Sequence, residues 1–212
     1  MRRPLPLPRR LPRRLATGLL ALAGAAAASP ALADRSTIRD PGNRPRYALE
    51  LEPHLGIAAF ETPGPVEDDG FGLGARVTFE VAPDGFIEKL NDSVGIGVGL
   101  DWIHYDGAYG RCRRYTPGPN GVAFCDGIDE VDADFIWLPV VMQWNFWLSR
   151  SWSVFGEPGV ALRRYDAWNG ETDTEIDPFV LYAGGRWHFA ETTTLTIRLG
   201  WPTVSVGVSF LL

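Results

Sequence analysis

From Tyr47 to Leu212 apolar and polar residues alternate with a period of two, broken at intervals by clusters of Pro, Gly, Asn and Asp. The stretch 195–212, LTIRLGWPTVSVGVSFLL, shows the pattern most clearly. Leu195, Ile197, Leu199 and Trp201, then Val204, Val206, Val208, Phe210 and Leu212, share one parity, and Thr196, Arg198, Gly200, Ser205, Gly207 and Ser209 share the other. This is a hairpin with one wholly apolar face, turned at Trp201-Pro202-Thr203. An apolar strand left as an open edge invites aggregation, whereas a barrel closes it against the first strand.

The alternation predicts eight strands, roughly 46–61, 71–82, 92–105, 133–148, 152–164, 178–190, 193–201 and 203–212. The connections 62–70, 106–132, 165–177 and 201–203 fall on one end, and 83–91, 149–151 and 191–192 on the other. Apart from a long 83–91 and a short last corner, this is the asymmetry of long external loops and short periplasmic turns. In strand two Phe71, Leu73, Ala75, Val77, Phe79 and Val81 oppose Gly72, Gly74, Arg76, Thr78 and Glu80. In strand three Val94, Ile96, Val98, Leu100 and Trp102 oppose Ser93, Gly95, Gly97, Gly99 and Asp101.

Alternation alone fits a membrane barrel and a secreted lipocalin-like barrel equally, because it does not say which face looks inward. Volume decides. The interior of an eight-stranded barrel is just wide enough for its side chains, and Phe, Leu and Trp at nearly every inward position would overfill it. Glycines on the polar face leave room for long charged side chains from neighbouring strands, whereas on a soluble exterior they would only weaken the strand. The predicted fold is all-β, an eight-stranded antiparallel up-and-down transmembrane β-barrel.

Some residues depart from the rule. Phe135 and Trp137 fall on the parity of Gln143 and Asn145, which suggests that the outer end of strand four rises above the membrane. Pro53, Pro139 and Pro158 each remove a ladder bond, so bulges are expected there. Tyr47, Trp144, Trp152, Trp187, Phe189 and Phe210 are expected in an aromatic belt at the periplasmic rim, and Trp102, Tyr105 and Trp201 at the outer one.

Composition adds a compartment. Arg2, Arg3, Arg9, Arg10, Arg13 and Arg14 precede an apolar stretch 15–28 and an Ala31-Leu32-Ala33 site, so residues 1–33 read as an export signal cleaved before Asp34. Residues 34–45 then read as a flexible periplasmic leader. The chain carries 20 Lys and Arg against 26 Asp and Glu, and loss of the signal shifts that balance by six more towards acid. That composition opposes nucleic-acid binding, which needs basic surface to neutralise phosphates. Beyond the signal no run of about 18 apolar residues remains for a transmembrane helix. In an oxidising compartment Cys112 and Cys125 are expected as a disulfide, worth about 3 kcal/mol in the chain-entropy model.

The last strand resembles the recognition signal of bacterial outer-membrane barrels, with Ser205, Gly207, Phe210 and Leu212 in its slots, though Leu212 stands where many such proteins end on Phe. The resemblance implies the barrel-assembly machinery as a partner. Residues 46–212 as a whole resemble the small eight-stranded OmpA/OmpX-like barrels, which implies an outer-membrane location, contact with membrane lipid and lipopolysaccharide, and a monomer. No peptidoglycan-binding domain of the OmpA kind is expected after the barrel.

The polar face supplies Glu50, Glu52, Glu80, Asp101 and Glu157 against Arg76, Arg163, Arg186 and Arg198. Buried charges must pair to be tolerated, so these residues predict an ion-pair network that plugs the lumen rather than a gated path. Catalysis is not expected. Barrel lipid hydrolases of the PagL type use a His-x-Ser pair, and His54, His104 and His188 each lack the Ser. Acidic clusters at Glu67, Asp68 and Asp69, at Asp126, Asp129, Glu130, Asp132 and Asp134, and at Glu171, Asp173, Glu175 and Asp177 suit Ca²⁺ or Mg²⁺ in ligand type, yet show no EF-hand spacing. They are taken as solvated loop charge, with no metal and no cofactor. Arg111, Arg113 and Arg114 make one basic patch, suited to lipopolysaccharide phosphates or to the acidic half of the same loop. The expected role is structural or surface-interacting, with loop 106–132 as the contact element. The alternatives are an OmpW-like passage or binding barrel for hydrophobic compounds and a secreted lipocalin-like binder.

Overall fold

The computed structural model describes residues 35–58, 70–118, 123–166, 172–201 and 203–212. The export signal and its cleavage point, the acidic residues Glu67, Asp68, Asp69 and Glu171, and Pro202 lie outside the described residues. Ten strands follow in chain order: β1 (Leu49–Ala58), β2 (Gly70–Ala82), β3 (Asp92–Cys112), β4 (Tyr115–Pro117), β5 (Ala123–Cys125), β6 (Ile128–Trp147), β7 (Trp152–Asp166), β8 (Thr172–His188), β9 (Thr193–Gly200) and β10 (Thr203–Leu211). Eight of them close an antiparallel barrel in the order β1-β10-β9-β8-β7-β6-β3-β2, and β4 pairs with β5 alone. The seam is β1 on β10, from Glu50 opposite Leu211 to Ala58 opposite Thr203.

The faces are inverted relative to a soluble barrel. Leu55, Phe71, Leu100 and Phe179 are 64%, 55%, 55% and 66% exposed on the outside, while Glu52, Arg76 and Glu157 are 1%, 2% and 0% exposed within. Apolar residues outside and paired charge inside are stable only where the exterior solvent is hydrocarbon. The lipocalin-like alternative requires the opposite placement.

The walls differ in height. A transmembrane strand needs about 9–11 residues, which β1 and β10 match at 10 and 9 and β9 falls just short of at 8. In contrast β3 and β6 run for 21 and 20 residues, and β7 and β8 for 15 and 17. The described residues of the expected loops 106–132 and 165–177 are thus largely strand. Period-two alternation fades above the lipid, because both faces of the wall meet water. The far end of this wall carries the β4–β5 arm, closed by the Cys112–Cys125 disulfide with a Cα–Cα distance of 5.6 Å.

Residues 35–48 lie against the near end of the barrel, the end that also carries Leu212. The Thr37 amide donates to Leu148 O at 2.9 Å, the Asn91 amide to Ile38 O at 2.8 Å, and Asn91 Nδ2 to Asn43 O at 3.1 Å. Arg44 is buried, with its guanidinium 2.8 Å from Glu80 and near the rings of Tyr47 and Trp147. The segment expected as a flexible leader is instead a strap tied to two near-end turns. Its polar composition serves backbone groups left over at those turns, which composition alone does not distinguish from solvation.

At the prolines the expected bulges are mostly absent. Register runs straight past Pro53, which faces Ala75, and past Pro139, which faces Ala161. Each proline keeps its carbonyl for one neighbour and loses only the bond its N–H would have donated. A register shift does follow Pro158, between Gly159 and Ala161, and others occur at Glu80/Ala82 and Tyr105/Tyr109.

Candidate functional site

Strand parity sends the charged residues into the lumen, and the closure of the barrel decides who meets whom. Arg76 on β2 reaches across to Glu157 on β7 at 2.6 Å. Arg198 on β9 donates to the same carboxylate through Nε at 2.9 Å and to Glu52 on β1 at 2.5 Å. Gln143 Nε2 donates to Glu157 at 2.9 Å, and Ser209 Oγ to Glu52 at 3.0 Å. Below them Arg186 on β8 grips both oxygens of Glu50 at 2.8 and 3.0 Å and donates to Asn145 Oδ1 at 2.6 Å. Three guanidiniums thus meet three carboxylates, and all six side chains are buried.

Aromatic rings complete the filling. The Arg186 and Arg198 guanidiniums lie 4.2 and 5.2 Å from the centre of the Phe155 ring, and Arg76 lies 5.1 Å from that of Tyr182. Such stacking offsets part of the cost of desolvating a cation. The glycine row of β3 makes room for its neighbours: a Cβ on Gly99 would lie 2.9 Å from Pro139 Cγ and 3.1 Å from Arg76 Nε, and one on Gly97 3.1 Å from Thr78 Oγ1 and from Val141 Cγ2. These glycines are needed for close approach.

Two residues expected in this network stand elsewhere. Glu80 is at the near end, paired with Arg44 of the strap. Arg163 is at the far mouth, 2.5 Å from Glu175 and 3.8 Å from Asp177. Both keep the inward parity of their strands but lie at other heights, and parity carries no information about height. Asp101 is also apart from the central cluster, held by His54 Nε2 at 2.7 Å, with His54 Nδ1 3.7 Å from Glu52. A cavity of about 10 Å³ beside this pair, lined by Thr203 and Ser205, has room for one water. Sequence reasoning missed His54, Gln143, Asn145 and Phe155 as partners, although all four share the inward parity.

The far half of the interior is apolar. Ile103, Tyr105, Ala133 and Phe135 form one buried cluster with Tyr165 against it. Trp137, Val141, Ala161, Val180 and Tyr182 form another, with Trp201 against it. Phe135 and Trp137 therefore obey the parity of their strand and face inward. Tyr105 and Trp201, expected in the outer belt, and Tyr47, expected in the periplasmic one, also turn away from the lipid face; Tyr47 packs on Trp147 and Leu211. Trp102, edge-on to Phe71 at 6.2 Å, keeps its expected place outside.

On the wall above, the hydrogen bond from Arg163, then that from the Tyr165 hydroxyl, holds the Glu175 carboxyl below its ordinary range. A depressed carboxylate contributes stability above its ordinary pKa and loses it as pH falls through the lowered value. Replacing Arg163 with Gln is expected to raise the Glu175 titration midpoint, followed by NMR, towards about 4.3. An unchanged midpoint would mean that this pair does not form in solution. The basic patch is partly neutralised in the same way: Arg113 pairs with Asp129, while Arg114 stays exposed.

No protein-family model and no curated protein matches this sequence. Among solved structures, a de novo designed transmembrane β-barrel aligns with a TM-score of 0.45 at 12% identity, over 82% of this chain and 99% of that one. Neisserial surface protein A aligns with a TM-score of 0.49 at 9% identity, over 78% and 97%. Ail, the attachment invasion locus protein of Yersinia pestis, in complex with the heparin analogue sucrose octasulfate, aligns with a TM-score of 0.40 at 11% identity, over 77% and 95%. By its own strand order and reversed faces, the chain is a small eight-stranded antiparallel transmembrane β-barrel.

Proposed function

We propose that the protein is a non-enzymatic barrel of the bacterial outer membrane whose lumen is plugged by paired charge and whose work is done by the wall that stands above the lipid. The observation that carries this reading is the filled interior. Arg76 and Arg198 pair with Glu157, Arg198 with Glu52 and Arg186 with Glu50, all of them buried, and in the far half Phe135 meets Tyr105 edge-on and stacks on Tyr165, each at 5.3 Å. With these groups filling the described part of the interior, the elements left to act are β3, β6, β7 and β8 above the membrane and the disulfide-tied β4–β5 arm. The same filling disfavours an OmpW-like passage for hydrophobic compounds.

The export signal read in the sequence supports the outer-membrane location, with the near end periplasmic and the far end outside. Exposed Arg114 and the aromatic rim suit lipopolysaccharide and lipid contact. Ser205 and Gly207 face inward on β10 while Phe210 and Leu212 face lipid, the two-sided presentation that the barrel-assembly machinery would read at the seam.

Two measurements test the proposal. Membrane fractionation with heat-modifiable gel mobility is expected to place the folded protein in the outer membrane, and recovery in the soluble fraction would overturn it. In planar bilayers the wild-type barrel is expected to be silent and Arg76→Ala to open channel events. Glu80→Ala, which touches only the strap and the near end, is expected to leave the lumen closed. A conducting wild type removes the plug.

A further inference from the structure

At the foot of the wall, on its outer face, His104 projects from β3 on the same parity as Leu100 and Trp102. Its imidazole stacks on the Trp102 ring at 5.8 Å and 23°, just above the aromatic rim. His104 faces Asp134 across the β3–β6 ladder, and Asp134 Oδ1 lies 2.9 Å from His104 Nδ1. The other ring nitrogen, Nε2, lies 3.2 Å from Asp106. Ligand atoms of His104, Asp106 and Asp132 all fall within 4.8 Å of one another. From these positions we infer that His104, Asp106 and Asp132 form a divalent transition-metal site of the zinc class, at the junction of barrel and wall.

Two physical features separate this group from solvated acidic charge. Asp106 and Asp132 come together from adjacent strands, and like charges so placed on a ladder repel. A cation between the two carboxylates reverses the sign of that interaction.

The imidazole supplies the second feature. With Nδ1 engaged by Asp134, the ring is fixed with Nε2 directed towards the two carboxylates, the carboxylate–histidine–metal arrangement that orients a ligand and raises its basicity. One imidazole among oxygen ligands favours zinc, nickel or iron over calcium. A four-coordinate ion with bonds of about 2 Å brings its ligands to about 3.3 Å from one another. Asp106, whose side chain is 87% exposed, is free to rotate inward by the difference. Three protein ligands leave an open position for water or an external oxygen donor.

The signal was present in the sequence only as His104-Tyr105-Asp106 and Asp132-Ala133-Asp134. Each is an i, i+2 pair on one face of a strand, and the register brings the two together.

Isothermal titration of the untagged mature protein, folded in detergent micelles, with ZnCl₂ tests the site. One equivalent is expected to bind. His104→Ala and Asp132→Asn are each expected to abolish it or weaken it at least tenfold, and Asp134→Asn to weaken it about 10–100-fold. All three side chains face outward, so heat-modifiable mobility reports separately that each variant is folded. Absence of a stoichiometric Zn²⁺ site in the wild type overturns the inference, as does equal Zn²⁺ binding by wild type and His104→Ala. CaCl₂ binding that exceeds ZnCl₂ binding and survives loss of His104 also overturns it, by assigning the acids to ordinary hard-cation attraction.

Discussion

Replacing Glu157 with alanine is expected to destabilise the folded barrel by about 3–5 kcal/mol, the cost of removing one partner from a buried ion pair. Glu157 is fully buried and serves two cations, Arg76 and Arg198, with Gln143 as a third donor. Its removal leaves Arg76 with no carboxylate at hydrogen-bonding distance among those described here, in a lumen too narrow to hydrate it freely. Arg198 keeps Glu52 and is affected less. Reversible urea unfolding in lipid vesicles measures the loss. The double replacement Arg76→Met with Glu157→Leu, which removes cation and anion together, is expected to cost much less than the two single changes combined. Additive losses would mean that the two side chains are not coupled across the lumen.

On the opposite face, Val98→Arg is expected to cost about 2–4 kcal/mol in a bilayer, the range for a cation on the lipid side near the membrane midplane. Val98 is 45% exposed and lies mid-strand, facing Val77 on one side and Val140 on the other, so the new charge would enter an apolar band three strands wide. Unfolding in vesicles reads the effect directly. The same exposed position on a water-facing barrel would tolerate arginine within a few tenths of a kcal/mol. An unchanged unfolding free energy in lipid would therefore refute the assignment of this face to hydrocarbon.

Much of this architecture is legible in the sequence because one period governs it. Alternation marks the lipid-facing band, and the charges on the other parity name most of the lumen. Glu50, Glu52, Glu157, Arg76, Arg186 and Arg198 all come out where parity puts them. Height and partner are not legible, since they depend on how the strands are staggered when the sheet closes. That is why Glu80 and Arg163, equally inward by parity, belong to opposite mouths. Aromatics mislead for a related reason: Tyr105, Phe135, Trp137 and Trp201 fill an apolar far half of the interior, whereas any aromatic near a strand end invites assignment to the belt. Above the lipid the rule lapses. With water on both faces nothing enforces alternation, so Asp129, Asp132, Asp173 and Glu175 look like loop residues while standing on strands.

The seam has a kinetic consequence. Leu49 and Leu212 exchange backbone hydrogen bonds at 3.0 and 2.7 Å, and Ala48 donates to Leu212 at 2.7 Å, so the bonds that close the sheet join the first residues of the barrel to its last. No nascent chain lacking β10 has this closure, and until it forms both β1 and the growing edge carry unpaired amides and carbonyls that hydrocarbon does not solvate. Contacts of such long sequence separation are the slowest to form. Closure of the sheet therefore waits on the last residues of the chain, and entry into hydrocarbon and completion of the seam are coupled late in folding.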